Sequence, residues 1–224
     1  MNQIGVAPIA PLDRLGWLAD EPEAFRVWVA GAGRWRVFEA GQSIYSAGDA
    51  SDGLYGLGSG CLEIALPLIA DEPVFLHLAE IGFWIGDRAE LAGVPRVVSL
   101  SAAARSRLLH LPSRAVQAAV EARPEFWRSF YRLGAINVTQ TAKQYAEALS
   151  LTVRARLCRH LLRLARTPHA VEVTQDDLAR LVGVARGTLR RRLVELAELG
   201  AIDLCYRHVR ILDAAALARF RNEQ

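Results

Sequence analysis

Arg186, Thr188, Arg190 and Arg191 lie within one short stretch near the end of the chain. A guanidinium is a planar fork that can bond O6 and N7 of guanine together in the major groove. A threonine hydroxyl and the free N–H groups at a helix start can hold phosphate. The competing reading is a solvated arginine face on a helical hairpin, so these residues matter only if their elements aim them outward together. Thr174-Gln175-Asp176-Asp177 fits a capping box, with Thr174 as N-cap and Asp177 at the third helical position. Leu178, Ala179, Leu181 and Val182 form the buried side of the helix that follows, and Gly183 ends it as a left-handed C-cap glycine does. Val184 and Ala185 make the turn. A second helix spans 186–199 with Leu189, Leu193 and Leu196 inward, and Gly200 ends it. This is a helix–turn–helix pattern. Gly187 leaves one outward position without a side chain, and Arg192 is expected to pack its stem while its head reaches solvent.

Residues 202–205 and 208–212 alternate around Tyr206-Arg207 like a small hairpin, the wing of a winged helix. Arg207, His208 and Arg210 are placed to touch phosphate there, and a last helix over 213–221 closes the chain. Upstream, Pro124 opens a long helix over 125–149. Trp127, Tyr131, Gly134, Val138, Thr141, Tyr145 and Ala148 fall near coiled-coil spacing, compatible with a seam to a partner helix or with an ordinary core-facing stripe. A further helix spans 152–166, ended by Pro168.

The first half is different. Between Arg34 and Leu111, short apolar stretches alternate with glycine turn signals such as Gly48-Asp49, Asp52-Gly53, Gly58-Ser59-Gly60 and Gly86-Asp87. Strands are expected at 35–39, 54–57, 62–66, 74–78, 97–102 and 107–111, in an antiparallel sandwich or barrel. A helix precedes them at about 22–29. Ser113 is expected to cap a short helix through Glu121. Charge divides with structure: residues 1–122 hold nine arginines against fourteen acidic residues, and 123–224 hold eighteen basic residues against ten acidic. A basic second half suits a polyanion partner. The chain's 224 residues, 52% of them hydrophobic, suffice for a buried core. Its three cysteines, Cys61, Cys158 and Cys205, lack ligand spacing and imply a reduced, cytosolic compartment. No apolar run approaches the length of a membrane span.

Gly41…Gly48-Asp49…Leu54-Tyr55…Gly60-Cys61-Leu62-Glu63-Ile64 resembles the jelly-roll sensor domain of the CRP/FNR family of bacterial transcription regulators. Residues 82–91, from Gly82 through Gly86-Asp87-Arg88-Ala89 to Leu91, resemble that family's phosphate-binding cassette, and residues 174–196 its helix–turn–helix. The resemblance implies an α+β chain: an N-terminal antiparallel β jelly roll of the cyclic-nucleotide-binding type (1–122), a long dimerisation helix (123–149) and a C-terminal winged helix–turn–helix DNA-binding domain (150–224). It implies a homodimer on a roughly palindromic double-stranded DNA site, its two recognition helices about 34 Å apart, with RNA polymerase as a further partner and no membrane. Arg186, Thr188, Arg190, Arg191, Thr174 and Arg207 would form the DNA surface. Gly187 replaces a glutamate that often reads bases there, so the target should differ from the best-known consensus.

The resemblance also implies an effector pocket of Gly86, Asp87, Arg88, Ala89, Arg96, Val97 and Thr141. Its departures from a cyclic-nucleotide site are specific. Asp87 stands where glutamate is usual, Val97 replaces a serine or threonine, and Arg88 and Ala89 replace a small apolar residue and a glycine. At Thr141-Ala142 one hydroxyl of two remains. The pocket therefore looks degenerate, with cyclic nucleotide the cofactor in question and a structural or surface ion pair of Arg96 and Asp87 the alternative. No GxSxG, P-loop or HExxH pattern supports an enzyme. The other competing function is a ligand-sensing protein-interaction module without DNA binding.

Overall fold

A computed structural model describes residues 9–67, 73–164, 174–205 and 208–223. The chain divides into two units, Met1–Gln140 and Thr141–Gln224.

In the first unit a 3₁₀ turn at Trp17–Asp20 leads into α1 (Glu23–Ala32). Eight strands follow: β1 (Arg34–Phe38), β2 (Ser43–Tyr45), β3 (Gly53–Ser59), β4 (Leu62–Leu66), β5 (Val74–Ala79), β6 (Trp84–Ile85), β7 (Ser99–Ala102) and β8 (Ser106–Pro112), with α2 (Asp87–Ala92) between β6 and β7. They form two four-stranded sheets, ordered β1-β8-β3-β6 and β2-β7-β4-β5, with antiparallel pairing throughout. This is the expected jelly-roll sandwich. Tyr55, Leu57, Leu62, Ile64, Leu100 and Leu108 are buried in one apolar cluster. A second cluster joins Leu12, Trp17, Phe25 and Val29 to Leu109, Val116, Phe126, Phe130 and Leu133.

Four sequence expectations change. Strands β2 and β6 are additional; both are very short and take their strand character from their partners. Val97 lies outside any strand and is exposed, since pairing begins only at Ser99. Ser113 is not a cap: α3 (Ser113–Ala122) starts after Pro112, and the Ser113 hydroxyl donates to Glu90 instead. The long helix begins later, because Pro124–Phe126 is a 3₁₀ turn and α4 runs Trp127–Ser150.

Phe130 and Leu133 of α4 are buried, whereas Tyr131 is 76% exposed, Val138 70% and Tyr145 66%. The expected stripe is therefore not core-facing within one chain. Gly134 lies against Asp87: a Cβ there would come 3.4 Å from Asp87 Oδ2.

The second unit contains α5 (Val153–Leu164), α6 (Gln175–Val182), α7 (Arg186–Glu198), the hairpin β9 (Ile202–Cys205) and β10 (His208–Ile211), and α8 (Ala214–Phe220). Leu157, Leu161, Leu178, Val182, Leu189, Leu193, Leu196, Ile202 and Leu217 are among its buried apolar residues. The chain end is tied back onto α5. Arg154 pairs with Glu223, which also accepts from the Thr152 hydroxyl, and Arg159 bonds Glu147 and Asn222. Pro168 and the Tyr206-Arg207 turn, and with them the proposed phosphate contact of Arg207, lie outside the described residues.

Candidate functional site

Two sites emerge, one in each unit. In the first, Arg96 is buried, with its side chain only 2% exposed. Nη2 donates to Asp52 Oδ1 at 2.7 Å and to the Gly53 carbonyl at 2.9 Å. The guanidinium carbon stacks 3.8 Å from the centre of the Tyr45 ring. Nε and Nη1 are buried and have no hydrogen-bond partner among the described residues. A buried N–H without an acceptor is costly, so these two donors suit an anion or another acceptor.

Two glycines make this geometry possible. Gly53 takes φ 130°, and a Cβ there would lie 1.9 Å from the Leu111 carbonyl oxygen. Gly86 takes φ 106°; a Cβ would come within 2.7 Å of the Gly53 carbonyl and 3.0 Å of Arg96 Nη1. Both conformations belong to glycine on steric grounds.

Asp52, half of an Asp-Gly turn signal in the sequence, is the organising carboxylate. It accepts from the Tyr55 hydroxyl at 2.6 Å as well as from Arg96, and its backbone carbonyl lies 3.0 Å from His110 Nε2. Burial opposes its ionisation, but the Tyr55 hydrogen bond, the His110 charge and Arg96 outweigh burial and hold the carboxyl below the usual range. Burial lowers the His110 pKa, against the pull of Asp52. The expected alternative, an Arg96–Asp87 ion pair, is replaced by Arg96–Asp52.

Asp87 is buried and turned towards α4. Its Oδ1 accepts from Asn137 Nδ2 at 2.9 Å, and the same amide donates to the Trp84 carbonyl. Burial pushes the Asp87 pKa up, offset in part by the Asn137 bond and by backbone N–H groups. Ala89 is buried; Arg88 is exposed and reaches the Pro95 carbonyl. Val97 is exposed, and Thr141 is exposed on α4 in the second unit. Asn137 and Asp52 are the partners of Asp87 and Arg96 that no spacing in the sequence marks.

In the second unit the capping box forms as expected. The Asp177 N–H donates to Thr174 Oγ1 at 3.1 Å, and the Thr174 N–H donates to the Asp177 carboxylate. Thr174 also donates its hydroxyl to Asp177 at 2.7 Å, so this side chain is occupied by the cap. Gly183 takes φ 71° and closes α6 in the left-handed region. Leu189, Leu193 and Leu196 anchor α7, which leaves Arg186, Gly187, Arg190 and Arg191 exposed and Thr188 half-buried. The helix has no side-chain N-cap, because Ala185 holds that position. Space beside Gly187 is open. Arg192 is half-buried and bonds both carboxylate oxygens of Glu195 at 2.8 Å, and Arg210 pairs with Asp203 across the hairpin.

The geometry defines a winged helix–turn–helix DNA-binding domain carried on the same chain as a cyclic-nucleotide-binding-type jelly roll. Residues 155–220 match the Crp-like helix-turn-helix domain and residues 35–123 the cyclic nucleotide-binding domain. Over 193 residues, 81% of this chain and 85% of the relative, the sequence is 26% identical to a CRP-like cAMP-activated global transcriptional regulator of Mycobacterium tuberculosis. A CRP-family transcriptional regulator from Thermus thermophilus superposes with a TM-score of 0.70 at 25% identity, covering 83% of this chain and 96% of that one. A CRP/FNR-family regulator from the same organism gives a TM-score of 0.70 at 23% identity, covering 84% and 98%. The chain belongs to the CRP/FNR family of transcription regulators.

Proposed function

We propose that the protein acts as a homodimer that reads a roughly two-fold DNA site through paired α7 helices. The observation that carries this is the division of α7, with three leucines buried on one side and Arg186, Arg190 and Arg191 exposed on the other. The dimer reading rests on α4. Tyr131, Val138 and Tyr145 recur every seventh residue, with Gly134, Thr141 and Ala148 at the intervening a/d positions, and the large members are exposed in the single chain. On this reading, 1–122 senses, 123–149 pairs the two copies, and 150–224 binds DNA in the cytoplasm, where RNA polymerase is the partner whose recruitment or exclusion changes transcription.

For the sensor, the reading is an effector pocket degenerate towards cyclic nucleotides. Arg96 is retained, but Val97 offers no hydroxyl and the shorter Asp87 is already bonded to Asn137. Calorimetry with cyclic AMP and cyclic GMP is expected to give no saturable heat; micromolar binding of either would overturn this part. DNA reading is tested by fluorescence anisotropy on a duplex selected from a randomised library. Arg186→Ala and Arg191→Ala should each lose about 1–3 kcal/mol of discrimination per lost base contact. Variants that both bind like the parent would refute the assignment.

A further inference from the structure

Asp176 sits two positions after the N-cap of α6 and has no part in the cap, which Thr174 and Asp177 make between them. Its carboxylate crosses the turn instead: Oδ1 lies 2.5 Å from Nε of Arg186. Arg186 opens α7 at the positive end of that helix, where no side chain caps it. An unpaired cation is disfavoured there, and the Asp176 carboxylate offsets it.

The pair is open to solvent, with side-chain exposures of 79% for Arg186 and 52% for Asp176, so it adds little to folding stability. It stands on the surface that would meet nucleic acid. A carboxylate beside DNA phosphates weakens binding to any sequence. Held at Nε, however, Arg186 keeps its Nη1–Nη2 edge for O6 and N7 of a guanine.

We propose that Asp176 is a positioning residue that sets DNA specificity: it withholds Arg186 from phosphates and presents it to a guanine. This rests on the DNA-reading assignment of α7 given above. On non-cognate DNA the paired Arg186 neutralises no phosphate and releases no counterion. On the cognate site the same arginine, already oriented, makes its base contact with less ordering.

The test measures affinity against salt on two duplexes, the tightest one selected with the parent protein and a scrambled one of the same composition. Asp176→Ala should tighten binding to the scrambled duplex and steepen its log K against log salt slope by about 0.9 for each recognition helix engaged. The ratio of selected to scrambled affinity should fall about tenfold, within the range of one bidentate base contact. Asp176→Glu should restore most of that ratio, and Asp176→Ala should change neither slope nor ratio in an Arg186→Ala background. Should circular dichroism show Asp176→Ala to be misfolded, Asp176→Asn, which keeps the side-chain shape, replaces it. Unchanged slope and ratio in the single variant, or the same change without Arg186, overturns the proposal. Loss of all effect from Arg186→Ala itself would instead remove the DNA-reading assignment beneath it.

Discussion

His160 on α5 offers a test of the second unit that is independent of DNA. Burial, reinforced by the Arg163 and Arg156 charges, lowers its pKa from 6.5 to about 4. The unfolded chain takes up a proton at this ring below its ordinary value, and the folded chain does so only near the lower one. His160 therefore contributes stability that is complete above the ordinary value and is lost as pH falls between the two. The separation between 6.5 and about 4, at about 1.4 kcal/mol per pH unit, corresponds to about 3 kcal/mol. His160→Leu cannot charge and should lack this component. All five tryptophans, Trp17, Trp28, Trp35, Trp84 and Trp127, lie in the first unit. Urea unfolding followed by tryptophan fluorescence thus reports that unit, and helical circular dichroism adds the other. The circular dichroism transition of the parent should lose about 3 kcal/mol more than that of the variant between about pH 7 and pH 4, while the fluorescence transitions of the two proteins shift together. The difference between proteins matters, because carboxylates titrate in both. Equal pH dependence of the circular dichroism transitions, or an NMR titration placing His160 near its ordinary value, refutes the reasoning.

Three further outcomes are expected. Leu193 is fully buried on the inner side of α7; Leu193→Ala should cost about 2–5 kcal/mol of second-unit stability by urea unfolding, and a loss below about 1 kcal/mol would contradict its anchoring role. Val138→Asp places a charge at the centre of the exposed α4 heptads; light scattering should show a shift from dimer to monomer, and a dimer mass retained at all concentrations would place the interface elsewhere. Burial raises the Asp87 pKa, so its contribution is present at low pH and lost as pH rises through the folded value; Asp87→Asn should remove that loss, read as a parent-minus-variant difference in the fluorescence transition, and a flat difference from acid to neutral pH would sink the assignment.

The two sites were unequally legible in the sequence for a physical reason. The proposed DNA surface is built from local instructions. A capping box spans four residues, Gly183 takes its positive φ where one helix must stop, and leucines at helical spacing decide which side of α7 faces water; each is written within a turn or two of the arginines it positions. Only the reach of Asp176 across the turn escaped, because an ion pair depends on rotamers as well as spacing. The proposed sensor pocket is built from distant ones. Arg96 meets Asp52 across 44 residues, through the backbone bonds of Arg96 to Gly48 and Asp49 and the close approach of Gly53 and Gly86. Asp87 meets Asn137 across 50, through the packing of α4. Ser113 shows how local logic fails when a distant partner competes: a serine at a helix start reads as a cap, yet its hydroxyl goes to Glu90. The same contrast separates what each site can do. The arginines of α7 are placed by residues of their own helix and turn, whereas Asp87 is held by Asn137 of α4. On the proposed reading, coupling of an effector to DNA is most directly sought at the Asp87–Asn137 bond, where the long helix donates a hydrogen bond to the start of α2.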